Sequence, residues 1–160
     1  MSPDEFSDEV TYEEKNPANL SSRTPDGSHV AFGIMITGAK TDTAYTPTLQ
    51  AMYFGSSWLF FDSADFKAGK LNSSITFDPS QKTQDVESGP LVTESNYVTL
   101  SESQLFKFYQ MAKHGSLRAR LNSGTGSVVP SEVITLNRVT RDLFVDCTIA
   151  YFGLKQGFKN

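Results

Sequence analysis

The chain reads as an α+β domain, an antiparallel sheet or two-sheet β-sandwich with one or two packed helices. Three observations predict this. Apolar residues alternate with polar ones in several short runs bounded by Gly, Pro and Asp, as strands do. One segment, opening at Ser101, has the spacing of an amphipathic helix behind a capping box. Aromatic residues gather at Ser56 to Phe66, which holds the sole tryptophan and three of twelve phenylalanines and so marks a core. A length of 160 residues suits one domain, able to bury about 70% of the surface its unfolded form exposes.

Residues 1–26 are acid-rich, with seven Asp and Glu against Lys15 and Arg23, a balance of −5. Their apolar residues show no sustained period, so they read as a flexible acidic leader before a single β-rich domain over 27–160. The domain carries eleven acids and twelve bases, a balance of +1. Nucleic-acid binding needs a basic field to displace counterions, and a body at +1 behind an acidic segment offers little of it. It has no apolar run long enough for a transmembrane helix, and the start Met1-Ser2-Pro3-Asp4-Glu5 lacks the basic and apolar regions of a signal peptide. Cys147 stands alone, which excludes an intramolecular disulfide and fits a small buried hydrophobe.

The first strand spans His29 to Thr37, where Val30, Phe32, Ile34 and Ile36 alternate with small or apolar residues, as in the middle of a sheet. A second strand covers Leu49 to Phe54. Gly55-Ser56-Ser57 predicts a hairpin into a third, Trp58 to Asp62, whose aromatic bulk suits burial on both faces. Each of Trp58, Phe60 and Phe61, if buried, contributes roughly 2 to 3 kcal/mol of transfer free energy. Leu71, Ser73, Ile75 and Phe77 then form a half-buried strand closed by Asp78-Pro79. Ser80 to Pro90 reads as an exposed loop, and Leu91 to Leu100 as extended.

Ser101-Glu102-Ser103-Gln104 starts the helix, whose stripe is Leu105, Phe108, Met111 and Ala112, and Gly115 ends it. Ser116 to Asn122 is a strand with Leu117, Ala119 and Leu121 on one face and Arg118 and Arg120 on the other. Val128 to Leu136 returns as a strand that Pro130 confines to an edge. Beyond Asn137 two patterns compete. Val139, Leu143, Cys147, Ala150 and Leu154 fit a helix, while Val145, Cys147, Ile149 and Tyr151 alternate like a strand; the helix is the expectation.

The run Phe61-Asp62-Ser63-Ala64-Asp65-Phe66, the strand ending at Phe77-Asp78, the helix at Ser101 and Leu117-Arg118-Ala119-Arg120-Leu121 together resemble small β-sandwich domains of bacterial surface proteins and lipoproteins. The resemblance covers roughly residues 56 to 122. It implies an exported binding or structural role, and no functional residue carries over.

No pattern demands catalysis, a metal or a cofactor. His29 and His114 lie 85 positions apart without a ligand-spaced partner. Asp62 and Asp65 offer a carboxylate pair for glycoside hydrolysis or calcium, against the simpler reading of a turn in which Asp62 bonds backbone amides. Arg118 and Arg120 share a face suited to an anionic ligand, since guanidinium groups recognise carboxylates bidentately, although such residues also form the solvated side of a sheet. The expectation is therefore a non-catalytic binding or structural domain, exported or at the cell surface. Its partner is a protein or a small anion, and Arg118, Arg120, Asp62 and Asp65 are the candidate contacts. The alternatives are a hydrolase using Asp62 and Asp65, and a cytosolic interaction domain binding through the Ser80 to Pro90 loop.

Overall fold

The computed structural model describes residues 9–12, 21–23, 28–39, 45–86, 91–123 and 133–155. Among these residues, ten strands form two antiparallel sheets. The larger sheet takes β1 (Glu9–Tyr12), β2 (Ser21–Arg23), β3 (His29–Ala39), β4 (Thr46–Gly55), β7 (Thr83–Val86) and β8 (Val92–Thr99). Its order is β1-β3-β4-β8-β7, with β2 sharing the β3 edge with β1. The smaller sheet takes β5 (Phe61–Ala68), β6 (Leu71–Thr76), β9 (Arg118–Ser123) and β10 (Val133–Thr135), in the order β10-β9-β5-β6. Two helices, α1 (Glu102–Lys113) and α2 (Arg138–Lys155), complete the α+β architecture that the sequence predicts.

Alternation builds the core. Phe32, Ile34 and Ile36 of β3 and Leu49, Ala51 and Tyr53 of β4 face inward from the larger sheet; Phe61, Ala64, Phe66 and Ala68 of β5 face inward from the smaller. Phe32 and Phe66 meet edge to face across the sheets with centroids 4.9 Å apart. Phe66 then touches Phe108 of α1 at 4.7 Å, and Phe108 touches Phe144 of α2 at 5.6 Å. Four buried rings therefore join both sheets and both helices, each pair in the geometry that the ring quadrupoles favour.

The helices are fixed at their ends. Ser101 Oγ accepts from the Gln104 amide at 3.1 Å, and Gln104 Oε1 accepts from the Ser101 amide at 2.8 Å, completing the predicted capping box. Asn137 Oδ1 caps α2 by accepting from the Thr140 amide at 2.9 Å. Glu102, opening α1, accepts from the Tyr151 hydroxyl at 3.0 Å and from Lys155 near the end of α2. At the opposite ends, Arg141 Nη1 donates to the Gly115 carbonyl at 2.7 Å. The two helices thus run antiparallel. The Cys147 thiol, buried in α2, donates to the Ile34 carbonyl of β3 at 3.3 Å, between the stretches where β2 and β1 pair.

Several elements differ from expectation. The aromatic strand begins at Phe61, not Trp58. Residues 58–60 cross from one sheet to the other, and Phe60 takes a left-handed backbone, φ 54, that no strand accommodates. Trp58 and Phe60 are accordingly half-buried, while Leu59, Phe61 and Phe66 are buried. The expected β4 to β5 hairpin does not form: β4 pairs with β8 and β5 with β6 and β9. Ser80 to Pro90 contains the edge strand β7, preceded by a 3-10 turn at Pro79–Gln81; residues 87–90 lie outside the described ones. From within 1–26, read as a leader, β1 and β2 join β3; the other residues of that segment lie outside the described ones. The last segment is helical, but its buried face is Thr140, Leu143, Phe144, Cys147, Thr148 and Tyr151, so Val139 is left exposed. Thr148 Oγ1 is accommodated there by donating to the Phe144 carbonyl at 2.7 Å.

Candidate functional site

The outer face of the smaller sheet gathers most of the predicted contacts. Alternation turns Ser63, Asp65 and Lys67 of β5 away from the core, beside Arg118, Arg120 and Asn122 of β9. The register sets Asp65 opposite Arg120 and Lys67 opposite Arg118. Asp65 is the hub. Its Oδ1 accepts from Ser74 Oγ at 2.7 Å, and its Oδ2 accepts from Arg120 Nη2 at 3.0 Å and Asn122 Nδ2 at 3.1 Å. The Ser74 hydroxyl first, then Asn122 and Arg120, hold this carboxyl below the usual carboxylate range. An ionised, fully engaged carboxylate anchors Arg120; a general acid needs the opposite shift.

Lys67 and Arg118 have no such partner among the described residues. They face each other across β5 and β9, and neither makes an ion pair or side-chain hydrogen bond with the described residues. A groove of about 180 Å³ runs over this face, lined by Asp65, Lys67, Arg118 and Arg120 and walled by exposed Val133 of β10. Among the described residues, three cations and one carboxylate line it and leave a surplus of positive charge.

Asp62 stands apart. It is exposed at the irregularity where β5 to β9 pairing shifts between Phe61 and Ser63, and it does not line the groove. Its carbonyl accepts from the Phe77 amide at 2.9 Å, while the turn with a carboxylate on backbone is made by Asp78, whose Oδ1 accepts from the Ser80 amide at 2.9 Å and hydroxyl at 2.8 Å. His29 and His114 are both exposed. Among the described residues, no three His, Cys, Asp or Glu side chains converge as a metal site would require.

A second polar cluster has no motif to announce it. Glu94 of β8 is fully buried, with Oε2 accepting from the Leu59 amide at 2.6 Å and the Phe60 amide at 3.0 Å. Its Oε1 makes no hydrogen bond and lies 3.9 Å from Lys82 Nζ. The same ammonium sits over the Phe60 ring, 5.5 Å from its centroid, and Trp58 stacks on that ring at 6.2 Å. Glu94 thereby clamps the sheet-to-sheet crossover in its left-handed turn. The one signal of it lies in the alternation, because the inward face of β8 reads Val92, Glu94, Asn96, and two polar residues at core positions need partners.

Among the described residues, no helix is long and apolar enough to cross a membrane. No protein-family model matches the chain, and no curated protein or solved structure matches it significantly.

Proposed function

We propose that the protein is a non-catalytic binding domain that takes an anionic group, carboxylate or phosphate, in the groove on the smaller sheet. One observation carries the reading: Lys67 and Arg118 are like charges set directly opposite on neighbouring strands, and no acid among the described residues pairs with either. Such a pair destabilises an empty sheet, and a bound anion relieves it while gaining charge-assisted hydrogen bonds. Arg120, already oriented by Asp65, presents its remaining donors to the same groove. Asp65 serves as a positioning residue. The β-rich fold, with the resemblance of residues 56–122 to bacterial surface domains, supports an exported setting at the cell envelope.

The test is thermal unfolding with citrate or phosphate titrated against sodium chloride at matched ionic strength. The melting temperature of the unmodified protein rises with the multivalent anion beyond the chloride control. In Arg118→Gln the extra rise disappears, and without anion that variant is more stable by about 0.2 to 1 kcal/mol because the repulsion is gone. An equal anion response in both proteins sinks the reading.

A further inference from the structure

On the far edge of the larger sheet, β7 stops short of its neighbour. It pairs with β8 from Thr83 opposite Ser95 to Val86 opposite Val92. Continued upstream, that register would set Gln81 against Tyr97 and Pro79 against Thr99. Instead the chain turns away at Pro79–Gln81, where Asp78 caps a 3-10 turn and proline has no amide to donate.

The other side of β8 fixes which backbone groups this leaves open. Leu100 donates its amide to the Pro47 carbonyl at 2.9 Å, so in antiparallel alternation Val98 and Asn96 bond toward β4. Tyr97 and Thr99 point their backbone groups away from β4. The Tyr97 amide is taken by Asn96 Oδ1 at 2.8 Å, a side chain replacing the missing strand. The Tyr97 carbonyl and both backbone groups of Thr99 have no ladder partner among the described residues.

These groups border a cleft of about 370 Å³ lined by Thr48, Asp78, Gln81 and the edge residues Tyr97, Val98 and Thr99. Its volume lies within the range of ligand sites. The second carboxylate oxygen of Asp78, the Gln81 carboxamide and the Thr48 and Thr99 hydroxyls make no side-chain hydrogen bond with described residues. Asp78 is held ionised, below the usual carboxylate range, by the Ser80 amide and hydroxyl. Among the described residues, the lining includes no cation.

We propose that this cleft receives a short extended peptide, which adds as a strand beside Tyr97–Thr99 and places a basic side chain against Asp78. Open groups on residues two apart on one strand edge repeat with the period of an extended backbone, which is what strand addition reads. Asp78, a carboxylate with no compensating cation among the described lining residues, selects a basic side chain and rejects an acidic one. This site is independent of the anion groove, which lies on the other sheet.

The test titrates the ¹⁵N-labelled full chain with capped pentapeptide pools having a fixed central Lys or Glu and random flanks, and with a Lys pool N-methylated at alternate backbone nitrogens. The Lys pool gives saturable amide shifts at Tyr97, Val98, Thr99 and Gln81, and the Glu pool binds about fivefold more weakly. The N-methylated pool gives none. Asp78→Asn abolishes the preference between Lys and Glu. Thr99→Pro removes an amide that β4 does not use, together with the Thr99 hydroxyl, and it weakens the Lys pool in a chain whose far-ultraviolet spectrum is unchanged, whereas Thr99→Val, which removes the hydroxyl alone, keeps most of that binding. Absence of shifts at these residues with millimolar Lys pool, an equal response to the N-methylated pool, or a Glu preference overturns the proposal.

Discussion

Glu94 shows how one buried side chain sets a chain reversal that hydrophobic pattern alone does not specify. Its Oε2 satisfies two amides, Leu59 and Phe60, at the point where the backbone leaves one sheet for the other with Phe60 left-handed. An L residue in that conformation costs about 1 to 2 kcal/mol, so the turn must be held from outside. Removing the clamp exposes the cost: Glu94→Ala leaves two amides unpaired, each worth about 1 to 3 kcal/mol. We expect a loss of roughly 2 to 5 kcal/mol in urea unfolding, with altered Trp58 emission in the native state because Trp58 stacks on Phe60. A change below about 0.5 kcal/mol would show that the crossover holds its shape without Glu94. The anion groove has a comparable residue-level logic. Alternation by itself puts Arg118 and Arg120 on one face, whereas the meeting of Arg120 with Asp65 depends on pairing between strands 55 residues apart, which no local pattern encodes.

Among the elements, legibility follows the strength of local signals. A capping box and an apolar stripe specify α1 from Ser101, and the strong alternation of β3 specifies a central strand. Short elements are harder. The strands β1, β2 and β7 have three or four residues each and are held by a neighbour's edge, so their own sequences need not alternate. Gly55-Ser56-Ser57 suits a tight hairpin as well as it suits the start of a crossover, and only the clamp by Glu94 separates the two. For α2 the buried face departs from the apolar stripe because Thr140 and Thr148 are buried where an apolar residue is expected. The clasp between the helices yields a pH prediction. Lys155 and then Tyr151, by donating to Glu102, hold its carboxyl below its ordinary 4.5, so the stabilisation is whole above that pH and is lost as pH falls through the folded value. Glu102 in turn raises the Lys155 ammonium above its ordinary 10.5, so the same contact is lost as pH rises past the folded value. Burial first and Glu102 second push Tyr151 above 10.0, adding to the alkaline loss. Urea midpoints for the unmodified protein and Glu102→Gln should therefore differ most between pH 4.5 and 10 and converge at both extremes. An offset that persists undiminished at both the acid and the alkaline extreme would mean that the contact acts by packing and not by charge.

At the scale of the whole molecule, the four rings of Phe32, Phe66, Phe108 and Phe144 decide whether two sheets and two helices behave as one body. Phe66 is the central member, since it alone touches both the opposite sheet and the first helix within this run. A core joined through a buried ring cannot release one sheet without opening the face of the other, which is the structural condition for an all-or-none transition. Trp58 offers an independent probe because it is the sole tryptophan and lies at the crossover, while far-ultraviolet dichroism averages over every strand and helix. The two signals should trace one urea transition with a shared midpoint. Phe66→Ala should shift that midpoint downward by about 3 to 5 kcal/mol of stability while keeping the signals together, because the lost ring contacts lie on both sides of the core. If tryptophan emission changes at lower urea than the dichroism in the unmodified protein, the crossover opens before the sheets. If the signals separate only in Phe66→Ala, the ring run is the coupling itself, and the sheets retain enough core of their own to unfold in sequence once it is cut.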